Sequence, residues 1–244
     1  MRNIKISLEY DGTNYAGWQR QMNAPTIEGK IEDALYKLTG KKIEVIGAGR
    51  TDAGVHSKMY LANFVIESNI LPEDFCRAIN SQLPEDIIIL KSEEVDMGYH
   101  ARYMSKGKRY SYTLNNSKQR HAIGRQYVFN YPYDLNLEAM KLATGFIIGT
   151  RDFAAFRNRG SSAITTIRTI SEIKITCKND IIVFEITANG FLYKMVRIIV
   201  GTLLKVGRGI IEPQDVEAII ESKDRTKAGE SVPAKGLCLE ELYY

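Results

Sequence analysis

The 244-residue chain is long enough to bury a substantial core, as one large domain or two small ones, and 33 basic against 29 acidic side chains leave a formal charge of +4. No run of eighteen apolar residues occurs and the opening MRNIKISLEY turns polar at every second position; neither a membrane span nor a secretory leader is expected, and the chain reads as cytoplasmic. Three scattered cysteines and three histidines suit neither a zinc site nor a disulfide framework, so Cys76, Cys177 and Cys238 are expected to be buried or half-buried thiols.

In chain order, Ile4, Ile6, Leu8 and Tyr10 alternate as in a half-buried strand. Ile27, Ile31, Leu35 and Leu38 then recur at helical spacing behind Thr26, a plausible cap. A short strand at 43–46, a strand at 60–67, a helix at 71–82 and a strand through DIIILKSEEV complete a βαββαβ series. The same grammar repeats. KRYSYTLNN reads as a strand, 137–148 as a helix, and 167–177 and 181–188 as strands joined at KND. The apolar helix FLYKMVRIIVGTLLKVG follows, then a shorter helix at 213–221 and a last strand GLCLEELYY.

The expected fold class is α+β: two ferredoxin-like or RRM-like βαββαβ units, residues 1–104 and 105–244, forming a joined mixed sheet. Helices would cover one face, and a cleft for a large ligand would open on the other. Residues 222–236 are the best candidate for a mobile loop.

Charge is unevenly spread. Residues 1–105 hold 12 basic and 15 acidic side chains, whereas 106–244 hold 21 and 14. The run 97–133 contains Arg102, Lys106, Lys108, Arg109, Lys118, Arg120 and Arg125 and no Asp or Glu. A polyanionic partner would account for that run, and so would a solvated basic loop. Tyr99, Tyr103, Tyr110 and Tyr112 are threaded through its first part, as stacking on bases would require or as strand packing would produce. Trp18 and Tyr15, in YDGTNYAGWQRQ, pose the same choice between core anchor and base contact.

Two residues carry chemistry. The loop GAGRTDAGVHS offers one carboxylate, Asp52, among small residues, with Arg50 two positions before it. Its glycine spacing is neither the dinucleotide fingerprint nor a P-loop. It is either a plain turn or a loop that lets a substrate reach an ionised carboxylate able to act as nucleophile or base. Arg197 lies in the middle of the apolar helix, where a guanidinium needs a counter-ion, for which Asp52 is the candidate, or a path to water.

Taken together and in order, YDGTNYAGWQRQ, GAGRTDAGVHS, YHARY with KRYSY, RDFAAF, ITANGFLYKMVRIIVGTLL and VPAKGLCL resemble the tRNA pseudouridine synthase A family over essentially the whole chain. The resemblance implies an enzyme without cofactor or metal that isomerises uridine to pseudouridine in the anticodon stem-loop of tRNA, at positions 38, 39 and 40, and works as a homodimer. It makes Asp52 the catalytic residue, with Arg50 beside it. It lays Tyr110 against the target base and pairs Arg197 with the carboxylate. Where the family has a Gly-Gln pair after the loop, Met59 and Tyr60 stand here, which bears on contacts to the RNA backbone. FRNRG, at 156–160, is basic enough to touch phosphate or simply to face water.

Two other classes fit parts of the pattern. A non-catalytic pair of RRM-like modules would share the fold and charge, but the RNP1 pattern is missing. An aspartate-nucleophile phosphohydrolase would want a second carboxylate for magnesium near Asp52, and the loop has none.

Overall fold

The computed structural model describes residues 1–158, 160 and 163–244. They form two compact units, one of Met1–Lys106 with Cys238–Tyr244, the other of Gly107–Leu237.

In the first unit, β1 (Arg2–Tyr10) points Ile4, Ile6 and Leu8 to one side, all fully buried, because successive residues of a strand face opposite ways. After it come α1 (Ile27–Thr39), β2 (Ile46–Gly47), β3 (His56–Ile66), a 3-10 turn (Pro72–Asp74) running into α2 (Phe75–Asn80), and β4 (Ile87–Val95). The Thr26 hydroxyl caps α1 by accepting the Gly29 amide at 3.2 Å. The helix buries Ile27, Ile31, Ala34 and Leu35. Phe75 of α2 meets Phe64 of β3 edge to face at 5.6 Å.

β1 lies between β3 and β4, antiparallel to both, and β2 joins the outer edge of β3 with Ile46 opposite Asn63. The order β4-β1-β3-β2 is the ferredoxin-like arrangement expected of a βαββαβ unit. A further strand, β10 (Leu237–Tyr243), runs parallel to the start of β3 on that same edge, with Cys238 opposite His56 and Leu239 opposite Ser57. The strand anticipated as the close of the second unit therefore packs with the first. β3 begins at His56, before the expected Tyr60. Its opening residues His56 and Ser57 are polar yet 5% and 3% exposed, so hydropathy alone does not mark them as strand. The strand anticipated at 43–46 shrinks to β2.

The second unit contains β5 (Gly107–Asn115), β6 (Phe129–Asn130), α3 (Leu137–Ile147), β7 (Gly149–Asp152), β8 (Ile167–Lys178), β9 (Ile181–Ala188), α4 (Met195–Gly207) and α5 (Asp215–Ser222). Strands β5-β9-β8-β7 run antiparallel in that order, and β6 pairs parallel to β5. β6 and β7 escape sequence reading because two and four residues are too few to display a period of two.

Within 222–236, the segment anticipated as mobile, residues 228–232 pack onto α4. Ala228 and Val232 are 3% and 7% exposed. The Gly229 amide donates to Thr202 Oγ1 at 2.8 Å and Lys205 Nζ donates to the Ala228 carbonyl at 3.3 Å. Glycines on both sides permit backbone to touch backbone: a β-carbon on Gly229 would lie 2.3 Å from the Gly201 carbonyl carbon, and one on Gly201 would lie 1.9 Å from the Glu230 oxygen. The polar composition that suggests mobility thus coexists with a run of inward backbone contacts. Cys76 and Cys238 are half-buried as expected, while Cys177 is exposed on β8. Among the described residues no helix is long and apolar enough to cross a membrane.

Candidate active site

The glycine loop spans 47–57, leaving β2 and entering β3. It is fastened from several sides. The Ala48 amide donates to the Leu61 carbonyl at 3.0 Å, and the Val55 amide to the Asp52 carbonyl at 3.2 Å, which folds the chain tightly just after Asp52. The preceding segment YDGTNYAGW forms the seat. The Trp18 amide donates to the Thr51 carbonyl at 3.3 Å, the Gly54 amide donates to the Tyr15 carbonyl at 3.2 Å, and the Tyr10 hydroxyl lies 3.0 Å from Thr51 Oγ1. Gly17, at φ +96°, approaches so closely that a β-carbon there would stand 2.3 Å from the Thr51 oxygen and 3.1 Å from the Asp52 carbonyl carbon. A side chain at that position would be strained and would also displace the aspartate.

Tyr60 was not foreseen as part of this site. It is 1% exposed and its hydroxyl clasps Gly49 at both ends, accepting the amide at 3.1 Å and donating to the carbonyl. Its ring stacks on Trp18 at 4.0 Å and 23°. Trp18 in turn donates Nε1–H to Glu28 Oε1 at 3.0 Å, and burial raises the Glu28 carboxyl above its usual range. The signal in the sequence was the family's Gly-Gln pair giving way to Met59 and Tyr60. It pointed to RNA contacts, whereas Tyr60 supports the loop from within. Trp18 and Tyr15, 2% and 7% exposed, are likewise anchors of this loop and not open stacking faces.

Asp52 is half-buried at the turn. Arg50 is exposed, and its Nε is given to Gln19 Oε1 at 3.4 Å rather than to the neighbouring carboxylate.

In the second unit, Tyr110 stands on β5 opposite Ile186 of β9, 7% exposed, with Phe191 set edge-on to its ring at 5.3 Å and 87°. Tyr112 is wholly buried and donates its hydroxyl to the Pro233 carbonyl at 2.8 Å, and burial pushes its phenol well above the ordinary value. It is a core residue. Arg197 sits in the first turn of α4, half-buried between Val196 and Ile198, which are 3% and 0% exposed. Its Nε donates to the Val232 carbonyl at 2.7 Å. Of FRNRG, Arg159 lies outside the described residues; Arg157 and Asn158 are half-buried, and the Asn158 amide donates to the Tyr193 carbonyl at 3.1 Å. Among the described residues, no group of three or more His, Cys, Asp or Glu side chains is arranged to hold a metal ion.

Comparison with known proteins places this α+β chain in a class of RNA-modifying enzyme. The model of the family described as tRNA pseudouridine synthase matches residues 6–104 and 144–244. The tRNA pseudouridine synthase A of Clostridium acetobutylicum is 53% identical over 244 residues, and that of Clostridium kluyveri 50%, with all of both chains covered in each case. A solved chain titled "Crystal Structure of a Cbf5-Nop10-Gar1 Complex" aligns with 96% of this chain and 57% of its own at 12% identity and a TM-score of 0.39. This chain belongs to the tRNA pseudouridine synthase A family and is an isomerase acting on uridine in tRNA.

Proposed function

We propose that Asp52 is the group that acts on the target uridine, as nucleophile or base at its sugar, after the nucleotide has left the helical stack. The observation that carries this reading is the bracing of its loop. Gly17, Trp18, Tyr10 and Tyr60 hold the backbone on either side of a single carboxylate, which is the preorganisation a reactive group needs. Tyr110 supports the uracil once the N1–C1′ bond is broken. Arg197 serves the carboxylate: a guanidinium is a planar fork of the kind that holds carboxylates, and the bond from Nε to the Val232 carbonyl orients it. Arg50, exposed at the loop, meets the phosphate or sugar of the substrate.

The reaction breaks N1–C1′, turns the base and joins C5 to C1′, while C5 loses a proton and N1 gains one. Electrons and atoms balance within the nucleotide, so one carboxylate suffices. The substrates are uridines of the anticodon arm, and the working form is a homodimer, which mass measurement in solution would check. The decisive assay uses unmodified tRNA tritiated at C5 of uridine. Asp52→Ala is expected to abolish tritium release while retaining tRNA binding. Release that persists in this variant removes Asp52 from the chemistry.

A further inference from the structure

The acid-free basic run 97–133 begins in the first unit, where its first residues, together with Asp96 just before it, lie on the face of the sheet opposite α1 and α2. Alternation puts Asn3 and Lys5 of β1 on that face, with Asn63 of β3 beside Lys5 in the register. Two asparagines, each 1% exposed, fasten the segment there. Asn3 Nδ2 donates to the carbonyls of Asp96 and Tyr99, both at 3.0 Å, and Asn63 Oδ1 accepts the Ala101 amide at 2.9 Å. Asn63 Nδ2 closes the network on Asn3 Oδ1 at 3.0 Å. The Tyr244 hydroxyl adds a bond to the Ala101 carbonyl at 2.9 Å, and the Lys5 ammonium lies 5.7 Å from the centre of the Tyr99 ring. Such a buried amide network is kept when every member is satisfied and fixes one conformation.

The tip of this fastened segment is unlike the rest. The amides of Tyr103 and Met104 both donate to the His100 carbonyl at 3.1 Å, which turns the chain outward. Tyr103 is 78% exposed, yet its ring lies on the His100 imidazole with centroids 4.2 Å apart and planes at 31°. Arg102, between them in sequence, is exposed. Of the four tyrosines threaded through the run, Tyr112 and Tyr110 are buried and Tyr99 is stacked on Tyr244 at 6.2 Å. Tyr103 is the one that is exposed. An exposed aromatic ring backed by His100 on a fastened segment, with Arg102 next to it in sequence and no Asp or Glu from 97 to 133, matches the requirement for an unpaired base with its phosphate.

We propose that Tyr103, backed by His100 and flanked by Arg102, is a stacking platform for an unpaired base of the tRNA, distinct from the uridine that Asp52 would act on. The proposal rests on tRNA as the substrate and not on the role of Asp52. It is tested by titrating the full-length protein with unmodified tRNA and, separately, with a fully paired RNA duplex. Tyr103→Ala should weaken tRNA binding by about 5- to 100-fold, the factor carried by one lost base stack, and leave duplex binding unchanged. Tyr103→Phe should bind tRNA as the parent does, since the ring face is retained. An affinity for tRNA within twofold of the parent in Tyr103→Ala overturns the platform. So does a Tyr103→Phe protein as weak as the alanine variant, or an equal loss on the duplex. Repeating the titration in the Asp52→Ala background separates this outcome from any failure of the catalytic assignment, because binding is read without turnover.

Discussion

Arg197 and Val232 are joined twice: the Val232 amide donates to the Arg197 carbonyl at 3.3 Å, and Arg197 Nε donates to the Val232 carbonyl at 2.7 Å. The first bond fixes the backbone of the helix start against the 222–236 segment. The second fixes the plane of the guanidinium. Arg197→Lys keeps a positive charge but has neither an Nε nor a planar fork. It is therefore expected to lose activity almost as fully as Arg197→Met, on the order of 100-fold or more in kcat, the scale on which preorganised charge contributes. Tritium release from C5-labelled tRNA measures it, and near-parental turnover in the lysine variant would show that orientation of the fork is unimportant.

Tyr60→Phe keeps the stack on Trp18 and removes the two hydrogen bonds to Gly49. The expected stability loss is about 1 to 2 kcal/mol, since each bond contributes roughly 1 and a half-buried carbonyl is left without its donor. A loosened loop should lower kcat by about 10- to 100-fold while the KM for tRNA stays within a few fold, because positioning and not binding is lost. Steady-state kinetics with urea unfolding of the same sample would reveal the split. A rise in KM alone would reassign Tyr60 to RNA contact.

Gly229→Ala forces a methyl group into the backbone of α4, and overpacking of this kind costs about 1 to 3 kcal/mol or more. For a chain of this size that is a fall of roughly 2 to 12 °C in Tm, readable by calorimetry. Gly145→Ala supplies the contrast. It lies within α3 with nothing beyond its chain neighbours and its own helix backbone inside 4 Å of the new β-carbon, and a helix interior favours alanine. Its Tm should hold or rise.

Asp152 is held below the usual carboxylate range chiefly by the Thr166 hydroxyl, then by Lys223 and the Ala154 amide. A carboxyl whose folded pKa lies below its unfolded value, near 3.9, contributes stability that is fully present above that value and lost as pH falls through the folded pKa. Asp152→Asn should consequently be less stable than the parent at pH 7, with the difference still present near pH 4 and closing only as the pH falls further, through the folded pKa. Parallel denaturation curves at pH 7, at pH 4 and at still lower pH would test the sign.

Much of the fold was legible because long strands and helices repeat their apolar residues at their own period: Ile4, Ile6 and Leu8, or Ile27, Ile31 and Leu35, need no tertiary information. Asp52 and Arg197 stood out by contrast, each a charge in an apolar or small-residue setting. What stayed hidden depends on partners distant in the chain. His56 and Ser57 are strand because β1 and β10 flank them, and Tyr60 supports the loop through a hydroxyl whose target is backbone. Asn3 and Asn63 look like ordinary strand residues until the 96–101 segment lies over them. Residues 222–236 are polar by composition, and 228–232 among them are nonetheless packed, because their contacts run through main-chain atoms that composition does not register.

The parallel seam between β3 and β10 sets an order on biosynthesis. One edge of the first unit's sheet stays open until residues 238–244 emerge from the ribosome, after the whole of Gly107–Leu237 has been made. Pairing across so long an interval is slow, because the intervening chain must surrender its freedom before the new contacts form. A nascent chain halted short of residue 238 would present that uncapped edge to its neighbours, and is expected to be the form most prone to aggregate.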